Sequence, residues 1–306
     1  MRTTDSASSR SRTSVSRARG KATPKGRAGA RPKPRPSRAE RAELHRLYEE
    51  SVQCPEADIE FFARIYRELR GREPLVLRED FCGTAKLALT WCLDDPKRRA
   101  YGIDLDEPTL EWARVHNVEP NARKLRGRLD LRRSNVLAPQ DFRADITCAN
   151  NFSFCVFKER PVFKRYLKRA HQGLKQNGLL FLELFGGTEA IQVIEEERPL
   201  GKFTYVWDQH SFNPMTAETV CHIHYAFPDG SRLDRAFTYD WRLWTVPELR
   251  DLLKEVGFRD VRLYWETLED DPGDDDMLRG SGEYEDVTEI AVEQQESWLL
   301  YVVGVV

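Results

Sequence analysis

The chain has no run of the roughly 20 apolar residues that a membrane-spanning helix needs, so no transmembrane segment and no membrane partner are expected. Its start lacks the apolar core of a secretory signal. Six of the 306 residues are cysteine (Cys54, Cys82, Cys92, Cys148, Cys155, Cys221), scattered without paired spacing. That argues against a disulfide framework and for reduced thiols in a cytoplasmic protein. Glycine is missing where a dinucleotide would need it. The stretch 75–88, "LVLREDFCGTAKLA", passes from a strand-like to a helix-like pattern with Gly83 alone between them. A pyrophosphate demands the close backbone approach of G-x-G-x-x-G, so NAD is disfavoured.

Charge is abundant but divided. Residues 1–40 hold twelve Lys/Arg and two acids, and residues 266–296 hold thirteen acids and one arginine, against a net charge of −2 for the whole. The first segment has almost no large apolar residue. It cannot bury enough surface to offset its ordering entropy, so a disordered basic tail is expected, with nucleic acid as a partner it is chemically able to grip. The acidic segment reads as a solvated loop inserted before the last strand. The sequence carries no signal for oligomeric state.

From residue 41 to 71 the pattern is helical: one helix near 40–52, a break at Pro55, and a second over 56–70 ended by Gly71. Strands and helices then alternate to residue 187. Strands are expected at 74–77, 99–104, within 125–136, at 144–151 and at 178–185, with helices at 83–93, 107–117 and 160–174. That order predicts a doubly wound α/β fold with a mostly parallel sheet. Residues 188–245 change style. Three strand-like runs, the last two joined by the turn "FPDGS", predict a small antiparallel cap. A helix at 246–256 is marked by Thr245 and Glu248 at capping-box spacing and by Gly257 after it. Strands at 258–265 and 297–306 complete the sheet, at seven strands in all.

In an open α/β sheet a nucleotide-like ligand binds at the carboxyl ends of the strands. The small run Cys82-Gly83-Thr84-Ala85 permits close approach there, with helix N–H groups pointing at the ligand. Asp104 ends the second strand 21 residues after Gly83 and is placed to grip ribose hydroxyls. A cofactor without phosphate fits this pair best.

These motifs, with "RSNVL", "ADITCANNFSF" and "GLKQNGLLFLEL" in order downstream, resemble those of class I S-adenosylmethionine-dependent methyltransferases. The resemblance spans residues 40–265 and the final strand. It extends to bacterial members of unassigned substrate that carry "REDFCGTA". It implies S-adenosyl-L-methionine as cofactor and methyl transfer by direct displacement. Aligned on the family's acid-x-G-x-G-x-G, Glu79 takes the acidic position, and Phe81, Gly83 and Ala85 take the three glycines. Phe81 implies a shifted turn, or one that reads the methionine part differently. The resemblance further implies that Asp104 binds the ribose, Leu105 and Val136 lie beside adenine, Asn135 stands where an Asp is frequent, and Asn150 lies by the transferred methyl.

On the acceptor side, Asn150 and Asn151 end the fourth strand and are candidates to orient the reacting groups. The echo "FTYVW" and "FTYDW" sets Tyr205 and Trp207, and Tyr239 and Trp241, on single strand faces, an aromatic wall suited to a planar or cationic ligand. The resemblance places Tyr48 on a lid over the cofactor. His222 and His224 share one face of "CHIH". His222 is a candidate general base, and two histidines fall short of a metal site, so no metal is expected. A cap that encloses the acceptor favours a small molecule. The alternatives are an RNA or protein methyltransferase that uses the tail, and a non-catalytic cofactor-binding protein.

Overall fold

The computed structural model describes residues 36–268 and 280–306. Helices α1 (Arg38–Arg41), α2 (Leu44–Val52) and α3 (Pro55–Arg70) lead into an alternating core. That core runs β1 (Val76–Asp80), α4 (Lys86–Asp94), β2 (Arg99–Asp104), α5 (Glu107–Ala113), α6 (Ala122–Leu125), β3 (Leu129–Arg133), β4 (Ala144–Ala149), α7 (Arg160–Gly173) and β5 (Leu174–Gly186). Four antiparallel strands follow: β6 (Ile194–Pro199), β7 (Thr204–Asn213), β8 (Glu218–Ala226) and β9 (Arg232–Arg242). Helix α8 (Val246–Val256) and strands β10 (Asp260–Leu268), β11 (Gly280–Asp286) and β12 (Trp298–Val305) close the chain.

The large sheet has eight strands in the order β11-β10-β12-β5-β4-β1-β2-β3. Strands β5, β4, β1, β2 and β3 pair in parallel, and β12, β10 and β11 are antiparallel. The expected doubly wound fold is present with one strand more than expected. The eighth, β11, comes from the acidic segment read as a loop, and Tyr284 is its inward anchor, 4.8 Å from Phe61. Residues 269–279 of that segment lie outside the described residues, as does the basic tail through residue 35. Residues 37–40, read as part of the tail, instead begin α1: Ser37 and Glu40 form a reciprocal capping box.

Helix α3 packs Phe62, Ile65 and Tyr66, all with no exposed surface, against the sheet. Each such side chain contributes roughly 1.5–3 kcal/mol. Gly71 stops it at φ +67, the left-handed conformation glycine adopts freely. Helix α8 has the expected boundaries and capping box, with Thr245 accepting from the Glu248 N–H and Gly257 left-handed at its end.

The antiparallel sheet has four strands rather than three, in the order β6-β7-β8-β9. The addition, β6, reads "IEEERP", an edge strand whose charges discourage further pairing. The turn after Phe227 closes as expected, with Gly230 donating to the Phe227 carbonyl at 2.9 Å. No described helix is long and apolar enough to cross a membrane, and all six cysteines are free.

Candidate active site

The turn from β1 into α4 is built on left-handed backbone at alternate residues. Phe81 has φ +59, Gly83 φ +50 and Ala85 φ +55. These are the positions where glycine would relieve strain, and the turn holds this conformation with glycine at only one of them. A non-glycine residue there costs roughly 1–2 kcal/mol, so something must hold it. The Phe81 ring lies 5.8 Å from both Phe157 and Tyr166, and Ala85 is fully buried. Packing therefore replaces glycine's freedom, and Phe81 is absorbed without displacing the left-handed pattern. Cys82 is buried against β2, where a Cβ on Gly102 would stand 2.9 Å from its Sγ. A Cβ on Gly83, by contrast, would meet no atom within 4 Å. That open side is what close approach by a ligand requires.

Asp104 ties this turn to β2. Its Oδ2 accepts from the Gly83 N–H at 2.8 Å and its Oδ1 from the Asp106 N–H at 2.9 Å. Each oxygen keeps a second lone pair. Leu105 beside it is 61% exposed, an unusual placement for leucine. The loop after β3 is drawn in by Ser134, which donates to the Asp104 carbonyl at 2.9 Å. In that loop Asn135 is exposed and its Oδ1 accepts from the Leu137 N–H, while Val136 is buried in the core. Thr84 is buried with an unpartnered Oγ1.

Three carboxylates converge at the ends of β1 and β5 and the start of α3. Glu79 is buried and accepts from the Ala88 N–H at 2.9 Å. Glu183 accepts from the Asn151 N–H. Asp58 accepts from Tyr301 Oη at 2.8 Å, and Asn150 Nδ2 donates to the same tyrosine at 3.3 Å. The other side of the Asn150 amide, Oδ1, is buried without a partner. Burial is the largest cause that pushes Glu79 and Glu183 up to about 8 and Asp58 up to about 6; the Asp58 charge adds to it at Glu79 and Glu183, and the Glu56 charge at Asp58. Asp58, Glu183 and Tyr301 were not singled out from sequence. The signal was present: Asp58 lies on the apolar stripe of α3, and Glu183 and Tyr301 interrupt apolar strands that pair them directly.

The aromatic residues meet beside this cluster. Tyr239 stacks on Trp241 at 4.4 Å, and Trp207 lies 6.0 Å from Tyr239 and 6.2 Å from Trp241. Phe152, left-handed after Asn151, joins Trp241 to Phe185 at the end of β5. Tyr48 contributes from α2, 4.9 Å from Phe237, and Tyr205 packs in the same cluster. The Tyr48 phenol is raised by burial, which keeps it neutral.

Two further residues lock α2 over the turn. Asn117 Nδ2 donates to the Thr84 carbonyl at 2.9 Å and to Glu49 Oε1 at 2.6 Å. Helix α2 is therefore bonded to the turn 81–85 through Asn117, and its Ser51 Oγ lies 3.2 Å from Tyr225 Oη on the antiparallel sheet.

His222 does not join the wall. It pairs across the sheet with Asp208 and Thr238, while the residues on either side of it, Cys221 and Ile223, pair with Tyr239 and with Trp207 and Phe237. Side chains alternate along a strand, so His222 occupies the opposite face from the aromatics. The general-base role expected of His222 beside the aromatic residues therefore does not fit its place on the sheet.

No protein-family model matches the chain, and no curated protein does. Solved structures do match. One is an S-adenosylmethionine-dependent methyltransferase of Clostridium acetobutylicum, 15% identical, covering 85% of this chain and 97% of its own, with a TM-score of 0.56. Another is an amino pentose methyltransferase of Micromonospora echinaspora involved in calicheamicin biosynthesis, with S-adenosylmethionine bound. It is 14% identical over 86% of this chain and 97% of its own, with a TM-score of 0.58. The fold is that of S-adenosylmethionine-dependent methyltransferases. A sugar N-methyltransferase of Streptoalloteichus is similar in the same way, 17% identical over 86% of this chain and 92% of its own, with a TM-score of 0.55. In a methyltransferase fold, the turn 81–85 and Asp104 occupy the sheet end where nucleotide-like ligands bind.

Proposed function

We propose that the chain transfers a methyl group from S-adenosylmethionine to a small-molecule acceptor, in the chamber between the turn 81–85, α2 and the antiparallel sheet. The observation that carries this reading is the convergence of three buried carboxyl groups, Asp58, Glu79 and Glu183. The phosphates of a dinucleotide would oppose their ionisation. S-adenosylmethionine brings an ammonium and a sulfonium, which draw Glu79 and Glu183 into the charged form and are attracted by it. The unpartnered Thr84 Oγ1 and Asn150 Oδ1 and the open side of Gly83 fit a polar ligand at this place.

When bound, S-adenosylmethionine supplies a methyl already activated by positive charge on sulfur. The protein's task is then alignment and exclusion of water. Asp104 offers its remaining lone pairs to ribose hydroxyls, and Leu105 offers apolar surface to the base. Glu79 faces the methionine end, while Asn150 and Asn151 fix the end of β4. Trp207, Tyr239, Trp241, Tyr205 and Tyr48 enclose the acceptor and favour a cationic or planar one. Glu183 and Asp58, poised near neutrality by burial, are better placed than His222 to take a proton from the acceptor. A site covered by α2 and the antiparallel sheet would favour a small molecule over a polymer. An amino pentose methyltransferase and a sugar N-methyltransferase are among the proteins of similar fold, which supports this reading.

Calorimetry with S-adenosylhomocysteine tests the reading. The chain should bind it, and Asp104→Ala should weaken binding by about 1.5–3 kcal/mol, the range for hydrogen bonds to a charged group. Binding of NAD without S-adenosylhomocysteine would contradict it.

A further inference from the structure

The face of the antiparallel sheet opposite the aromatic wall carries a donor set that methyl transfer does not use. We propose that Asp208, His210 and His222 form a binding site for a divalent transition-metal ion of the zinc class.

Each of the three offers a ligand atom, and these atoms lie within 4.8 Å of one another. The sequence alone shows only a His-x-His pair on β8. Pairing supplies the rest. Asp208 on β7 is the direct cross-strand partner of His222. His210 is the extra residue of a bulge between Gln209 and Ser211, and its ring stands 5.1 Å from that of His222. Bulges re-aim side chains in this way. Ligands held at about 2.0–2.1 Å around a tetrahedral zinc stand roughly 3.3 Å apart. Small side-chain rotations therefore close the set.

The surroundings hold these donors as metal ligands are usually held. His222 Nδ1 is 2.9 Å from Thr238 Oγ1, which leaves Nε2 for an ion. The Arg235 N–H donates to His224 Nδ1 at 3.0 Å, which puts the His224 proton on Nε2. That Nε2–H then donates to Asp208 Oδ2 at 3.3 Å and fixes the carboxylate. His224 is a positioning residue here. Glu195, which forms a second trio with Asp208 and His224, adds negative charge, and Asp234 adds more beside His224. The Arg235 guanidinium works against them from the same side. Asp208, His222 and His224 are buried, whereas the His210 side chain is 52% exposed and gives an ion its way in.

Two imidazoles and one carboxylate suit zinc, cobalt, nickel or copper, and not magnesium or calcium, which prefer oxygen. With three protein donors, a fourth position remains for water. The ion would pin β7 to β8 at the residue next to Trp207, whose ring faces the chamber. This inference does not depend on the methyl-transfer reading.

The test uses the full-length untagged chain, stripped with chelator, titrated with Co²⁺ and followed by visible absorption, with Zn²⁺ as competitor. One Co²⁺ should bind per chain and be displaced by Zn²⁺. Binding should weaken about 10–100-fold or more in His210→Ala and Asp208→Asn, and be unchanged in His116→Ala, in the short helical segment that continues α5. Zn²⁺ should raise the Tm of wild type and not of His210→Ala. His210 is half-exposed, so its variant keeps the test usable should Asp208→Asn fail to fold. No saturable Co²⁺ uptake, or equal uptake by wild type and His210→Ala, would overturn the proposal.

Discussion

At the scale of residues, Phe81, Gly83 and Ala85 separate backbone conformation from glycine content. All three are left-handed, and the two that are not glycine are held by packing, so the number of glycines understates the capacity of the turn. That capacity could not be read from "FCGTA", because the rings that hold Phe81 lie 76 and 85 residues downstream, at Phe157 and Tyr166. The position of Asp104, by contrast, was legible, since it ends strand β2. The carboxylates beside it make a pH prediction. Glu79 and Glu183 rise from 4.5 to about 8 in the folded chain, chiefly through burial. A raised carboxyl binds its proton more tightly folded than unfolded, so the free protein loses stability as pH climbs from about 4.5 to about 8. A cationic ligand favours the ionised form. Affinity for S-adenosylmethionine should therefore rise over the same window, and binding near pH 6.5 should release protons. Calorimetry in buffers of differing ionisation enthalpy checks the sign, and proton uptake on binding would contradict it.

At the scale of elements, alternation and capping made most of the fold legible. Strand β2 and helix α8 have their expected boundaries because their ends are written in local chemistry, in Asp104 and in Thr245, Glu248 and Gly257. Strand β1 was expected at 74–77 and runs instead from Val76 to Asp80. Its polar end, Arg78-Glu79-Asp80, looks like loop and is buried. Arg78 donates to Asp80 Oδ1 at 2.7 Å, and Tyr166 donates to Oδ2 at 3.0 Å. Gly173 leaves room for the guanidinium, since a Cβ there would stand 2.8 Å from Arg78 Nη1. Burial of a charge is tolerable only with its partner present. Arg78→Met should thus destabilise the chain by about 3–5 kcal/mol. The pair Arg78→Met with Asp80→Leu should cost much less than the sum of the single changes. Urea unfolding of the three variants measures this, and additive losses would refute the pairing argument. Strands β6 and β11 escaped notice for a related reason: both are acidic edge strands, whose sequences carry little apolar alternation.

At the scale of the whole molecule, α2 is a strut between two sheets. Glu49 reaches the turn 81–85 through Asn117, while Ser51 Oγ lies 3.2 Å from Tyr225 Oη on β8. Helix α2 is therefore tied to both sheets, as the proposed lid would need to be. Asn117→Ala should speed amide exchange in α2 and shorten the residence of S-adenosylhomocysteine, with the rest of the fold unchanged. Unaltered exchange in α2 would show that the bridge does not hold the lid. The sequence suggested a lid through Tyr48, but the bridge itself joins residues 49, 84 and 117, which no local pattern relates.

The central claim is that this chamber passes a methyl group to a small molecule. The direct measurement supplies isotope-labelled S-adenosylmethionine and a metabolite extract to the full-length chain and to Asp104→Ala, and then locates the label. The account predicts labelled methyl in a low-molecular-mass product with wild type and little or none with the variant. Label confined to protein or RNA, or S-adenosylmethionine bound with no transfer to any metabolite, would contradict it.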